Sequence, residues 1–372
     1  MTASILLGIT IVLAAGWGAL ALWIRAPLPA SLRAALAIAW TALALAAIAA
    51  LIWPAWRPAG IGFAVALLVM LIWWRSIRPS NHRDWIPEVA QQTYGDIDGD
   101  HVTLHNVRNF TWRTRTDFTP HWETRHYALH ELESVDVALS YWGRPAIAHA
   151  LVSFGFGHER YVVFSVEIRR KQGDSFSEIG GFFKQYELSV IASSEEDSLR
   201  VRTNVRGEDG YLYRIHMPPD NARSLFLPYV NTANQLRDTP RFYHTLTANC
   251  TTIVFQMAHR IVPGLPLDYR QLVSGYLPEY LYELQVLQGA DNAAQYRRLG
   301  RYTDRARATQ TQTELPAQPA ALSSTESPTE LSTESSTESS TTFSQAIREG
   351  VPGIERAATA HTAARVTSNA TR

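Results

Sequence analysis

Residues 4–24 read SILLGITIVLAAGWGALALWI and residues 34–53 read AALAIAWTALALAAIAALIW. Neither stretch carries a charge. Each has the roughly 20 apolar residues a helix needs to cross a bilayer core about 30 Å thick. A third stretch, residues 61–74, IGFAVALLVMLIWW, is shorter and needs Pro58–Gly60 or a thin bilayer to complete a span. Arg25, Pro27, Pro29 and Arg33 divide the first two stretches, and Pro54, Arg57 and Pro58 divide the last two. Trp23, Trp53, Trp56, Trp73 and Trp74 stand at the ends, where an aromatic belt belongs. The first stretch lacks a basic start and further apolar runs follow it, so a membrane helix fits it better than a cleaved signal peptide. Residues 1–78 thus read as transmembrane helices.

Nearly all the charge lies after this region. The 372 residues hold 34 Lys+Arg and 34 Asp+Glu, a balance with no basic surface for nucleic acid. The one cysteine, Cys250, rules out an intramolecular disulfide. With three spans, Arg25, Arg33, Arg75, Arg78 and Arg83 share one side of the membrane and Arg57 takes the other. Counted by the positive-inside rule, that places the C-terminal domain in the cytoplasm.

Residues 79–305 read as a soluble α+β domain. Ser80–Tyr94 is a polar exit from the membrane. His101–Val107 alternates, and Ala146–Phe156 and Arg160–Ile168 form a hairpin around Gly155, Gly157 and His158. Glu187–Ala192 and Asp209–Ile215 are further strands. Asp220–Leu236, Cys250–Ile261 and Leu277–Leu287 have helical spacing, with Asp220 as an N-cap. Strands followed by helices indicate an α+β layout with a small antiparallel sheet. Residues 306–372 turn into Ser, Thr, Glu, Pro and Ala, and Ser324–Ser340 repeats without hydrophobic periodicity. Such a tail cannot bury enough surface to offset chain entropy and reads as disordered, with a weak helix around Phe343–Ala358.

Cys250 lies in Leu246-Thr247-Ala248-Asn249-Cys250-Thr251-Thr252, just before a helical pattern. Free N–H groups and the helix dipole at such a position stabilise a thiolate, and the same N–H groups can hold an oxyanion. Asn249 and Thr251 flank the sulfur, and Thr247 or Asn249 can cap the helix. A buried structural cysteine is the plainer reading. His149, in the small apolar run Pro145–Val152, is either a satisfied core histidine or an active-site imidazole. Glu167 shares the alternating strand with Val163 and Ser165; it is either the acid that orients the imidazole or a surface partner of Arg169 or Arg170. His121, His126 and His130, beside Glu123 and Glu131, are a rival cluster in which His126 and His130 would share a helix face. No HExxH pattern or cysteine pair supports a metal there, and there is no phosphate loop or G-x-S-x-G elbow.

One resemblance unites these observations. The segments Asn106–Phe110, Asp117–Glu123, Ala138–Gly143, Ala148–Phe156, Arg202–Asp209 and Asn249–Thr252 resemble the bacterial family named for the N-terminal periplasmic domain of Lnb, the lipoprotein N-acyltransferase. The similarity covers Trp85 to about Leu287. That family looks like a circularly permuted relative of NlpC-type papain-fold amidases and of lecithin:retinol acyltransferase, in which a strand histidine precedes a helix-start cysteine. The resemblance therefore implies a permuted papain-like fold, Cys250 as nucleophile, His149 as base and Glu167 as the third member, with no metal or cofactor. It implies acyl transfer through an acyl-thioester, with membrane lipid and lipoproteins as partners. It also implies a multi-pass protein of the bacterial inner membrane whose catalytic domain is periplasmic, against the arginine count. A cysteine hydrolase cutting peptidoglycan amides would share this fold. A non-enzymatic binding module would instead hold Cys250 and His149 apart.

Overall fold

The computed structural model describes residues 2–157, 159–261, 264–266, 268–313 and 342–354. His158, part of the expected turn, most of the Ser/Thr/Glu-rich tail and the last residues of the expected Phe343–Ala358 helix lie outside them. The chain forms two compact units, one of Met1–Ala90, Glu167–Ser189 and Gln235–Asn249, the other of Gln91–Val166, Val190–Asn234 and Cys250–Arg372.

The first unit starts with α1 (Thr2–Arg25), α2 (Ala30–Ala49) and α3 (Arg57–Ser76). All three are long and apolar enough to cross a membrane. The third is a full-length helix, because a 3-10 turn at Pro54–Trp56 leads into it and it runs on past Trp74. Pro58 costs nothing there, since the first N–H groups of a helix have no partner inside it. Gly18 lets α1 and α2 approach: a Cβ on it would lie 2.4 Å from the Trp40 ring. Trp40 in turn donates to the Ala15 carbonyl at 3.1 Å and stacks at 5.0 Å on Phe63 of α3. The polar exit after α3 is pinned by Arg169, whose guanidinium donates to the Val89 and Ala90 carbonyls and to Asn81 Oδ1 at 2.8–2.9 Å. Burial lowers the Arg169 pKa to about 10, with Glu187 pulling the other way.

The second unit is built on an eight-stranded sheet. Its strands are β1 (Tyr94–Asp98), β2 (His101–Arg108), β5 (Trp122–Ala128), β6 (Leu132–Tyr141), β7 (Ala148–Phe156), β8 (Arg160–Arg169), β9 (Glu187–Ser193) and β10 (Asp209–Ile215). The small pair β3 (Thr111–Trp112) and β4 (Phe118–Thr119) stands apart. The order is β1-β2-β9-β8-β7-β6-β10, with β5 on β2, and β8 and β9 each run on into the first unit. The sheet is mixed and larger than the small antiparallel one expected, because β2 meets β9 in parallel at Arg108–Ser193. The expected hairpin is present as β7 and β8, antiparallel from Leu151–Ser165 to Phe156–Arg160.

Alternation sends the two sets of strand residues to opposite faces. On one face Phe154 and Phe164 pack edge-on and tilted against Phe226 and Tyr229 of α5 (Pro219–Asp238), with ring centroids 5.0–5.7 Å apart. On the other, Ala138, Leu151, Val163 and Leu212 meet Leu199 of α4 (Glu195–Arg200). The chain continues through α6 (Thr252–Ile261), α7 (Leu277–Glu283), α8 (Ala293–Gly300), α9 (Thr303–Thr313) and α10 (Phe343–Arg348).

The last two helices correct the boundary read from composition. A tail beginning at residue 306 would start inside α9, yet Ala306 is fully buried, and Phe343 and Ile347 of α10 close the same cluster as Leu151 and Val163. A capping box of Thr342 and Gln345 starts α10. Arg348 then reaches a buried acidic site, donating to Asp136 Oδ2 at 2.8 Å and to Glu195 Oε1 at 2.6 Å. Arg214 also holds Asp136, and Ser153 donates to Glu195. Both carboxylates are fully buried. Removing one partner from such a network leaves uncompensated charge behind. Arg348→Ala is therefore expected to destabilise this unit by about 3–5 kcal/mol, read from the denaturant midpoint of near-UV circular dichroism. A loss under about 1 kcal/mol would mean that α10 contributes little to the fold.

Candidate active site

The site is assembled at the start of β7. Its ladder with β8 begins at Leu151–Ser165, so Ala148, His149 and Ala150 lie beyond that pairing. This stretch is fixed from the far end of the domain sequence. Ser274 Oγ accepts from the Ala148 N–H at 3.0 Å, and the Gly275 N–H donates to the Ala146 carbonyl at 3.0 Å. The Gly275 carbonyl accepts from the Tyr141 hydroxyl at 2.7 Å and from Arg297 at 3.0 Å. Burial pushes the Tyr141 hydroxyl up to about 12, so it stays a donor at any physiological pH. Nothing larger than glycine fits at 275: a Cβ would stand 2.0 Å from the Pro145 carbonyl oxygen.

Cys250 sits two residues before α6, partly exposed, with Thr251 accepting the first intrahelical bond from Phe255 at 2.9 Å. Burial around the sulfur raises the thiol pKa. A hydrogen bond from His149 and its charge, the Ala150 N–H and the Thr251 hydroxyl outweigh that and bring it below the ordinary thiol value. Thr251 Oγ1 is 3.8 Å from Sγ. The histidine and the cysteine named from the sequence are thus in contact. Nε2 of His149 is 2.7 Å from Ser165 Oγ on the next strand.

Ser165 was not singled out in the sequence; its signal was only its place on the strand face that carries Glu167. Glu167 lies two residues further along β8, half-buried. Asn249 donates through Nδ2 to the Thr245 carbonyl at 2.6 Å, bracing the turn that precedes Cys250. Tyr229 stands beside Cys250, fully buried, its hydroxyl pKa raised by burial and by the thiol's charge.

The rival histidines do not share an α-helix. His126 belongs to β5 and pairs with Thr103 Oγ1 at 3.0 Å, His121 lies 3.4 Å from Glu123, and His130 bonds Asp100. His126 stands on an extended strand and His130 in the 3-10 turn Leu129–Glu131 beyond its end, so the shared face expected of a helix is lost. Among the described residues no group of three His, Cys, Asp or Glu side chains is placed to hold a metal.

Residues 118–275 match the model of the family described as the Lnb N-terminal periplasmic domain. The matched segment lies within the soluble domain and is similar to that family. The match begins in β4 and ends on Gly275, so it holds every residue of the site described above except Arg297. It is shorter than the span over which the sequence segments resemble the family. No curated protein and no solved structure matches the chain. Three apolar helices joined to an Lnb N-terminal periplasmic domain make this a membrane protein with a periplasmic domain. That overturns the arginine count, which rested on few charges, and long domains translocate largely regardless of flanking charge.

Two expectations follow. A thiol whose pKa lies below the ordinary value of about 8.5 is ionised at lower pH than a free one. Alkylation of Cys250 should therefore rise at lower pH than that of a free thiol, and His149→Ala should move that rise upward toward the free-thiol range. An unchanged profile in the variant would remove the imidazole's influence on the sulfur. Gly275→Ala should displace the start of β7 and slow alkylation at neutral pH, while Gly16→Ala, inside α1 with open space around it, should not slow it.

Proposed function

We propose that the protein is a membrane-anchored cysteine acyltransferase of the bacterial inner membrane, acting on lipid or lipoprotein acyl groups. The observation that carries this is the hydrogen bond between His149 and Cys250 at a helix start, with Ser165 on the imidazole. A strand histidine preceding a helix-start cysteine is also the order of a permuted papain-like fold, and we read the domain as one.

With Nε2 engaged by Ser165, Nδ1 of His149 takes the thiol proton. The thiolate attacks an acyl ester carbonyl, forming a C–S bond, and the tetrahedral oxyanion is held by N–H groups at the start of α6, around Asn249 and Thr251. Collapse breaks the C–O bond, and the imidazolium returns its proton to the departing alkoxide. An amine then attacks the thioester, giving an amide and restoring the thiol. Ser165 is a positioning residue for the imidazole, and Glu167, the acid carried by β8, supplies supporting charge. Neither step calls for a metal or cofactor. The apolar helices in the same chain favour a lipid acyl donor over a soluble peptide.

The test is to incubate the full chain in detergent–lipid micelles with phosphatidylethanolamine and, separately, with a diacylated lipopeptide, then weigh the intact protein. The expected product is one acyl adduct on Cys250, released by neutral hydroxylamine and absent in Cys250→Ala and His149→Ala. Ser165→Ala should slow its appearance by about ten- to a hundredfold, at or below the low end of general acid–base effects, as befits a residue that positions the base. No adduct from either donor, with the thiol reactive, would refute acyl transfer.

A further inference from the structure

Within the first unit, two loops carry apolar side chains that the fold leaves uncovered. Phe176, Ile179 and Phe182 are 56%, 53% and 39% exposed, and Leu246 in the second loop is 47% exposed. The loops are locked to each other. Thr245 Oγ1 donates to the Glu178 carbonyl at 3.1 Å, Phe182 meets the His244 ring at 5.5 Å, and a Cβ on Gly181 would stand 2.3 Å from Thr245 Oγ1. They are therefore one rigid ledge. An exposed cluster of this kind marks an interaction site more often than chance.

The ledge is continuous with the membrane helices. Phe183 belongs to the same apolar cluster as Trp40, Phe63 and Met70, and its ring packs edge-on to Trp74 at 6.2 Å. Lys184 donates to the Trp74 carbonyl at 2.8 Å and lies over that ring at 4.9 Å. Trp74 is two residues from the end of α3, where an interfacial tryptophan belongs. Burial and the charges of Arg25, Arg78 and Arg75 lower the Lys184 pKa, which shows four cations gathered at this level. A run of cations beside exposed aromatic and aliphatic side chains is the composition of a surface that enters anionic headgroups.

We propose that Phe176, Ile179, Phe182 and Leu246 form a membrane-dipping ledge, seated in the lipid headgroup layer of the same bilayer that α1, α2 and α3 cross. The occupant of this face is lipid. The proposal stands apart from the catalytic reading, since it needs no activity at Cys250. The second loop runs on along the chain to Asn249.

The test uses the full chain with Cys250→Ser, reconstituted in vesicles of phosphatidylethanolamine and phosphatidylglycerol. Phe176→Cys, Ile179→Cys and Leu246→Cys each carry an environment-sensitive fluorophore, and the same labelled proteins in vesicles without nitroxide are the control. All are exposed, so the label does not disturb a core. Labels on the ledge should lose most of their fluorescence to a lipid-borne nitroxide placed near the headgroup and stay insensitive to aqueous iodide. Quenching by iodide on the ledge would overturn the proposal. So would resistance to both quenchers, which would mean that a protein covers this face.

Discussion

Strand β7 is covered on both faces, and that constraint organises the domain. Every polar side chain it carries has to find its partner inside the protein, because a buried unpaired donor or acceptor costs about 1–3 kcal/mol. Two such side chains matter. Ser153 donates to Glu195, and His149 meets Ser165 and the thiol of Cys250. The first partnership leads outward, through Glu195 to Arg348 and the returning C-terminal helix. The second leads to the site. Both depend on β7 holding its register, and register is what Ser274 and Gly275 secure from their position more than a hundred residues later in the chain. The end of the domain and its histidine strand are in this sense one construction.

Much of this was legible in the sequence, for identifiable reasons. Membrane helices announce themselves because hydrocarbon tolerates no charge, so three unbroken apolar runs have few other readings. Strands with one mixed face, such as β2 and β8, show alternation. β6 was missed because both of its faces are covered: from Val135 to Tyr141 each residue is buried, which leaves no period-two signal. β5 was read as a loop or helix because its histidines and Glu123 looked like a ligand cluster. Their spacing was measured on a helix, whereas the chain there is extended.

The site was half legible. A cysteine before a helical pattern and a histidine in an apolar run can each be noticed alone, but their contact is a product of topology. Ser165 is an ordinary residue type on an ordinary strand, and only the register Leu151–Ser165 brings it to the imidazole. The C-terminal helix was read only as a weak one within a disordered tail, for a different reason. Its neighbours along the chain are rich in Ser, Thr and Glu, and a single short segment with Phe343, Ile347 and Arg348 is diluted in any average over such a region. Local composition reports whether a segment can fold alone, which is a separate matter from whether a prepared surface awaits it.

That separation has a kinetic and thermodynamic side. Helix α10 reaches Asp136 and Glu195 at the end of a Ser/Thr/Glu-rich connection that leaves α9 at Thr313. Because the connection is covalent, docking is an intramolecular association, with an effective concentration far above that of a separate peptide. A six-residue helix need bind its site only with modest intrinsic affinity to stay in place. One cut anywhere in the connection would turn it into a free peptide diluted to the protein's own concentration, several orders of magnitude lower. The hydrophobic face and the buried carboxylates of the domain would then be left open by a single cleavage remote from either.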